Sequence, residues 1–504
     1  MPRFAAIDVG SNASRLLIAE APSAEAWTAV AQRRAPVRLG HSVFVTGKLD
    51  PAAIEELVRT MREFREALQT HGVERYRAVV TASARDAENA ADLLEAVAGV
   101  GIDLEAIDGT EEARLVKLAV GQRIPLADRR ALLCDLGGGS LELSEVHDDE
   151  VRFSTSLAIG TVRMLETFLD DGKPVTKAQA RLLDEYVERV LGPVRENFAR
   201  RNYDVVAGTG GNFDTIASLC GVRGAAIPTI DVRRARALLG PMSKLSASER
   251  RKRYDLRPDR ADVIVPALHV LLAVAELART EFVVAPGVGV KEGILQDLLD
   301  RYFRGGDPRA DEARAVRAAI HLGRRYRFDE IHATQVDRLA VQLFDHLQRL
   351  HRLGDQERTL LRVAALLHDI GDFVHNAAHH KHTQYIIEHS DLMGLSPNQR
   401  LIVGCIARYH RRAPPSTKHA SFRKLGPADR RKVRQLSSIL RLADALDRSH
   451  RSKVHQLTIE IDDAEVRIRP SGPEDLSLEV WTAERKAALF ERTFRRKVTV
   501  TAKP

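Results

Sequence analysis

Two stretches of the chain share one pattern of apolar and polar positions. Phe4–Glu20 reads as an apolar strand, the turn Asp8-Val9-Gly10-Ser11-Asn12, and a returning strand Arg15-Leu16-Leu17-Ile18. Ala131–Val146 repeats it, with the turn Asp135-Leu136-Gly137-Gly138-Gly139-Ser140 and the returning strand Leu141-Glu142-Leu143-Ser144. Aligning Asp8 with Asp135 also aligns Gly10 with Gly137, so each stretch is expected to be a β-hairpin whose turn is held tight by glycine. The stripe Ile54, Leu57, Val58, Met61, Phe64 and Leu68 predicts a helix over 52–70 with one buried face. Strands and then helices follow each hairpin. The expected architecture is therefore a duplicated α/β unit, divided near 125 and ending near 305.

At Gly305-Gly306-Asp307-Pro308 the sequence breaks any helix and reads as a linker. From 310 to about 450 the pattern is helical and rich in His and Arg. Beyond 453 it alternates as strands over Val454–Ile461 and Glu465–Arg469, then predicts a helix near 478–494 and a last strand at Lys497–Thr501. Four domains are expected: 1–125, 126–305, a helical 306–452 and a small α+β 453–504.

Composition adds limits. With 44% apolar and 29% charged residues over 504 positions, the chain is ordinary globular protein, and no apolar run is long enough to cross a bilayer. The start Met1-Pro2-Arg3-Phe4 lacks a signal-peptide pattern, and Cys134, Cys220 and Cys405 are too scattered for a disulfide framework or a zinc knuckle. A cytoplasmic protein is expected. Charge is uneven: residues 306–504 carry 36 Lys+Arg against 25 Asp+Glu, and residues 1–305 carry 41 against 44. The densest stretch, Arg408–Arg434, has ten Lys+Arg opposed only by Asp429. Such a stretch suits a polyanion, or equally a solvated helical face.

The glycine turns are the first chemical signal. Consecutive backbone N–H groups in such turns cradle phosphate oxygens, with Ser11, Asn12 and Ser140 as added donors. Asp8 and Asp135, closing the preceding strands, are placed to hold Mg²⁺ directly or through water. A single GGGS is usually only a flexible turn; a matched pair is harder to dismiss. A third turn, Ala207-Gly208-Thr209-Gly210-Gly211, follows an apolar strand and opens a helix. After the strand Tyr76–Val80, Arg85 is placed to grip phosphate, or to pair with Asp86 or Glu88. In Asp108-Gly109-Thr110-Glu111-Glu112 the glutamates fall in a first helical turn, where carboxylates commonly complement the helix dipole. In a phosphate cleft, a glutamate there could instead orient and deprotonate water.

The ordered set DVGSN, TASARDAENA, DGTEEARL, DLGGGSLEL, SLAIGTVRM, GTGGN, RADVI and VKEGIL resembles the exopolyphosphatase/guanosine pentaphosphate phosphohydrolase family over nearly the whole chain. The resemblance implies an α/β fold of duplicated RNase H-like subdomains of the actin/hexokinase type. It implies Glu112 as the water-activating glutamate, Asp135 and Glu142 at the metal and phosphate site, Arg85 on substrate phosphates, and the loops 10–12, 137–140 and 208–211 as phosphate cradles. Mg²⁺, or Mn²⁺ in its place, is the implied cofactor, and a homodimer the implied assembly. The expected reaction is release of terminal phosphate from polyphosphate, or from the 5′ end of guanosine pentaphosphate; nucleic acid is not expected as a substrate. Two positions depart from the family pattern. Leu141 stands where a threonine is usual, and Asn212-Phe213 stand where small residues are usual.

His332, His368-Asp369 and Asp444 fit the H…HD…D spacing of HD-domain metallohydrolases, a mixed nitrogen and oxygen set that suits Mn, Fe or Zn. His379, His380, His382 and His410 are nearby candidates for a second metal or for phosphate. The plainer alternative is a helical platform whose histidines pack or bind polyanion. Two other classes stay open: a kinase of the same fold group, and a non-catalytic polyanion sensor.

Overall fold

The computed structural model describes residues 1–170, 172–198, 202–305, 308–375, 377–390, 392 and 394–502. Gly306 and Asp307 of the expected linker lie outside the described residues. The chain divides into two compact units, Met1–Gly306 and Asp307–Pro504.

The first unit is built on two sheets of matching topology. Strands β1 (Arg3–Val9), β2 (Ser14–Glu20), β3 (Thr28–Ala35), β4 (Arg75–Val80) and β5 (Leu104–Ala106) take the order β3-β2-β1-β4-β5. Strands β6 (Arg130–Leu136), β7 (Leu141–His147), β8 (Glu150–Leu157), β9 (Val205–Thr209), β10 (Thr229–Asp231) and β11 (Phe282–Val284) take the order β10-β11-β9-β6-β7-β8. In each, an antiparallel three-strand meander leads into parallel neighbours, β1 with β4 and β6 with β9. The helix Pro51–Thr70 forms as its stripe predicts: Asp50 caps it, and Leu57, Met61, Phe64 and Leu68 are buried while Ile54 and Val58 are half-buried.

Each half lends a helix to the other. Gly109–Gly121 packs on β6, β7 and β8, and Val290–Phe303 packs on β1, β2 and β4. A shared core of Phe4, Ala6, Leu17, Leu115, Leu133 and Ile294 results. Glu112, in the first turn of Gly109–Gly121, is thereby carried to the neighbouring sheet.

The hairpin turns do not use left-handed glycine; neither Gly10 nor any of Gly137, Gly138 and Gly139 has positive φ. Close approach explains the glycine instead: a Cβ at Gly139 would lie 2.7 Å from Ala82 Cβ, so only glycine lets the two halves meet there. Gly210 does require the left-handed region, with φ +91°.

The second unit has helices including Pro308–Arg325, Glu330–His346, Asp355–Leu367, His379–Glu388, Pro397–Arg408 and Pro427–Ala445, then β12 (Gln456–Ile461), β13 (Glu465–Ser471) and β14 (Lys497–Val500). The small sheet is not a separately packed body. Leu457, Val466, Ile468 and Val498 share one apolar core with the helices. The single helix expected near 478–494 is two, Ser477–Lys486 and Ala488–Phe494. Among the described residues no helix is long and apolar enough to cross a membrane.

Candidate active site

A cavity of about 330 Å³ opens in the first unit, and both hairpin turns line it: Gly10, Ser11 and Asn12 from one, Gly137–Ser140 from the other. The turns are copies at the backbone. Gly10 N–H donates to Ala13 O at 3.1 Å and Gly137 N–H to Ser140 O at 3.0 Å. Gly210 and Gly211 of the third loop face the same space, where the helix Gly211–Cys220 begins with its positive dipole end. The other two residues of that loop act differently. Gly208 lies against the Phe213 ring, and the Thr209 hydroxyl donates to Asp135 Oδ1 at 2.7 Å.

The paired glutamates separate. Glu111 meets Arg77 at 2.9 Å and Arg114 at 2.7 Å, and although burial opposes it, Arg114 and Arg77 hold its carboxyl below the usual range. Glu112, one residue on, is buried and lines the cavity. Glu112, Asp135 and Glu142 each offer an oxygen within 4.8 Å of the others. Arg85 stands over them, with Nη1 3.8 Å from Glu112 Oε2 and Nη2 3.8 Å from Glu142 Oε1; its contact with Asp86 is longer, at 4.0 Å. Glu142 Oε1 also accepts from the Ser156 hydroxyl at 2.8 Å.

Electrostatics marks this triplet as strained. Burial, followed by the neighbouring Glu142 charge, pushes Glu112 well above the ordinary carboxylate range despite Arg85. The same two causes raise Asp135 to about 7. Burial raises Glu142 as well. Glu112 Oε2 and Glu142 Oε2 accept no hydrogen bond from the described residues. Three buried carboxylates, two of them with an oxygen that accepts no hydrogen bond from the described residues, and one arginine form a hard oxygen site short of positive charge, which a divalent cation would satisfy. Asp8 lines the cavity but stands outside the triplet, its Oδ2 taking Arg15 Nη1 at 2.8 Å.

Several lining residues escaped the sequence reading. Arg260 Nη1 donates to Asn212 Oδ1 at 3.0 Å, and burial, resisted by Asp259, brings its guanidinium down to about 10. Arg34 pairs with Asp259, and Lys291 with Glu292, at the same cavity. Arg260 and Lys291 fall in the segments RADVI and VKEGIL, which could have flagged them; Arg34 sits in a strand with no motif. Asn12 is engaged through Nδ2 with Asp259 O at 3.2 Å. The unusual Asn212-Phe213 pair is accommodated, since Phe213 fills the core of the second half and Asn212 orients Arg260.

The model of the Ppx/GppA phosphatase family matches residues 17–302, and that of domain III of the same family matches residues 315–479. The chain belongs to the Ppx/GppA phosphatase family. Among curated relatives it is 29% identical over 475 residues to the guanosine-5′-triphosphate,3′-diphosphate pyrophosphatase of Aeromonas hydrophila, covering 94% of this chain and 93% of that one. Among solved structures, an exopolyphosphatase from Cytophaga hutchinsonii is 26% identical with a TM-score of 0.55, over 59% of this chain and 98% of that one. The Aquifex aeolicus Ppx/GppA family member is 28% identical with a TM-score of 0.51, over 60% and 99%. The duplicated sheets are thus the actin-like fold of Ppx/GppA phosphatases.

In this Ppx/GppA phosphatase the second unit gathers a separate buried cluster. His332, His368 and Asp444 come together from the start of one helix, the end of another and the last turn of a third. Asp369 joins His379 and His410. His380 stays outside both groups; burial, with Arg408 and other cations, lowers it to about 4. His382 also stands outside them. Sequence reading missed Asp447, whose Oδ2 is 2.8 Å from His332 Nδ1, and Lys486, paired with Asp444. The basic stretch Arg408–Arg434 is partly structural: Arg430 donates to Phe422 O, and Lys432 meets Glu357 at 2.9 Å.

Proposed function

We propose that this chain is an exopolyphosphatase that removes terminal phosphate from inorganic polyphosphate in the cleft of its first unit. One observation carries the reading: Glu112 is buried at a cavity lined by glycine turns, with a carboxylate oxygen within 4.8 Å of oxygens of Asp135 and Glu142. Glu112 orients the attacking water and takes its proton, a role its position at the cavity beside Asp135 and Glu142 suits. Arg85 holds the transferred phosphoryl, and the loops 10–12, 137–140 and 210–211 hold the phosphates behind it. Gly208 and Thr209 support these loops from behind. Asp135 and Glu142 would hold Mg²⁺, or Mn²⁺, as hard oxygen donors, with Asp8 at the edge of that site. Bound there, the ion supplies charge neutralisation for phosphoryl transfer.

The alternative substrate is the 5′-terminal phosphate of guanosine pentaphosphate, as the name of the Aeromonas relative indicates for that protein. The excess of 36 basic over 25 acidic residues in 306–504 favours the long polyanion. Phosphate release from both substrates, side by side with Mg²⁺ at increasing salt, tests this. For polyphosphate the apparent affinity should fall steeply with salt, because many counterions are displaced. Faster turnover of the nucleotide, with a shallow salt slope for both, would reverse the assignment.

We read 306–452 as an HD-like helical domain followed by a small α+β region at 453–504, on the burial of His332, His368 and Asp444 beside Asp369. A cytoplasmic homodimer is the expected working form, and light scattering checks the assembly.

A further inference from the structure

The segment SLAIGTVRM places Arg163 in the first turn of the helix Thr161–Phe168, where a positive side chain opposes the helix dipole and calls for an anion. The start of this helix is docked on the second glycine turn. Thr161 N–H donates to Gly137 O at 3.1 Å, and Val162 and Arg163 N–H both donate to Gly138 O, at 2.9 and 3.0 Å. A Cβ at Gly160 would lie 2.2 Å from Gly138 O, so glycine there permits the contact. The backbone of Arg163 is thereby fixed against a cleft loop.

Its side chain is fixed as well. Arg163 Nε donates to Gly139 O at 2.9 Å, and its guanidinium carbon stands 4.2 Å from the centre of the Phe44 ring. The far end of the guanidinium, Nη2, bonds Asp86 Oδ2, which belongs to the other half and directly follows Arg85.

Arg85 has rival partners. Its Nη1 and Nη2 each lie 3.8 Å from a carboxylate of the triplet, Glu112 and Glu142, and Nη2 donates to the Ser156 hydroxyl at 3.2 Å. On the opposite side its Nε lies 4.0 Å from Asp86 Oδ1. Without another cation, Asp86 would draw the guanidinium away from the triplet by Coulomb attraction. The opposing pull of Glu112 and Glu142 weakens once a cation offsets their charge, and a phosphoryl group would then contend with Asp86 for the same guanidinium. Neither Asp86 nor Arg163 is among the residues lining the cavity, so an effect of Arg163 on turnover must pass through Arg85 or through Gly139.

We propose that Arg163 is a positioning residue for the reaction: by engaging Asp86 from the second half, it leaves Arg85 free to face the triplet and grip phosphate. The inference rests on the proposed role of Arg85 in holding the transferred phosphoryl.

The test compares kcat/KM of wild type, Arg163→Met, Asp86→Asn and the double variant in the full chain, on polyphosphate and on guanosine pentaphosphate with Mg²⁺. Arg163→Met should lose about 10- to 100-fold, the scale of a misplaced active-site group. Asp86→Asn should stay within a few-fold of wild type, and adding it to Arg163→Met should restore that level. Equal losses in all three variants would mean that the bridge only latches the two halves together. A loss that Asp86→Asn fails to relieve would mean that Arg163 acts through Gly139, and no loss would leave Arg163 without a role. Each of these three results overturns the proposal. A crystal structure of Arg163→Met gives a readout apart from turnover: Arg85 Nε should bond Asp86 directly, and an unmoved Arg85 overturns the proposal. Wild type inactive on both substrates would sink the proposed function, and that crystal structure would then decide the arrangement of Arg85 by itself. If Arg163→Met does not fold, Asp86→Asn decides. Turnover near wild type supports competition for Arg85, and a loss of about 10-fold or more supports a latch and overturns it.

Discussion

The two glycine hairpins have nearly the same backbone and opposite electrostatics. In the first, strand register sets Asp8 opposite Arg15, and the two form an ion pair at 2.8 Å. In the second, the same register sets Asp135 opposite Glu142, and Glu112 arrives from a neighbouring helix to make three buried carboxylates. One cross-strand position separates a neutral side of the cavity from an acidic one. Duplication supplied two phosphate-sized turns; the residue paired with the aspartate decides which could hold a cation. The comparison also explains why Asp8 and Asp135, alike in sequence, sit in unlike electrostatic surroundings.

The largest expected effect comes from the residue that only the second pocket has. Glu112→Gln should lower kcat by about 10²–10⁴ while KM stays within a few-fold. An unchanged kcat in steady-state assays would remove Glu112 as the base and leave the acidic pocket without its assigned chemistry. Next, the aspartates should separate in a Mg²⁺ titration of activity. Asp135→Asn should raise the half-saturating Mg²⁺ on the order of 100-fold and Asp8→Asn less than about 10-fold. Equal shifts would mean that the hairpins contribute symmetrically.

The smallest effect is on stability. Burial and Glu142 raise Asp135 in the folded state to about 7 from 3.8, and Glu112 and Glu142 move the same way. A folded-state value above the unfolded one means that the folded protein holds the proton more tightly. This contribution to stability is complete below about pH 4 and is lost as pH rises toward 7. Metal-free protein should therefore melt lower at pH 8 than a shift in pH alone would give for Asp135→Asn, which should gain about 2–4 °C there. Asp8→Asn should instead lower the melting temperature by leaving Arg15 unpaired. Saturating Mg²⁺ should erase the advantage of Asp135→Asn; differential scanning fluorimetry with and without chelator reads all three.

Local pattern was enough for the hairpins, their alignment and the helix Pro51–Thr70, because period-two and period-three-to-four apolar spacing reports a buried face directly. Motif order was enough to recognise the family and to bring Glu112, Arg85, Asp135 and Glu142 to notice. The resemblance singled out Glu112, but the residues by themselves gave no physical reason to separate it from Glu111. Adjacent residues on a helix point about 100° apart, and only the packing of Gly109–Gly121 on the second sheet turns one toward Arg77 and the other into the cleft. Nor could motif order show that Gly208 and Thr209 serve the cleft from behind, or that Asp447 and Asp372 stand behind His332 and His379.

What the sequence by itself determined was therefore the repeated α/β plan and the kinds of side chain available for phosphate chemistry. The tertiary structure decided which carboxylates share a site. Coulomb repulsion, desolvation and hydrogen bonding act across a few ångströms of space, and residues as distant in sequence as Glu112 and Glu142 acquire their chemistry only when folding buries them together.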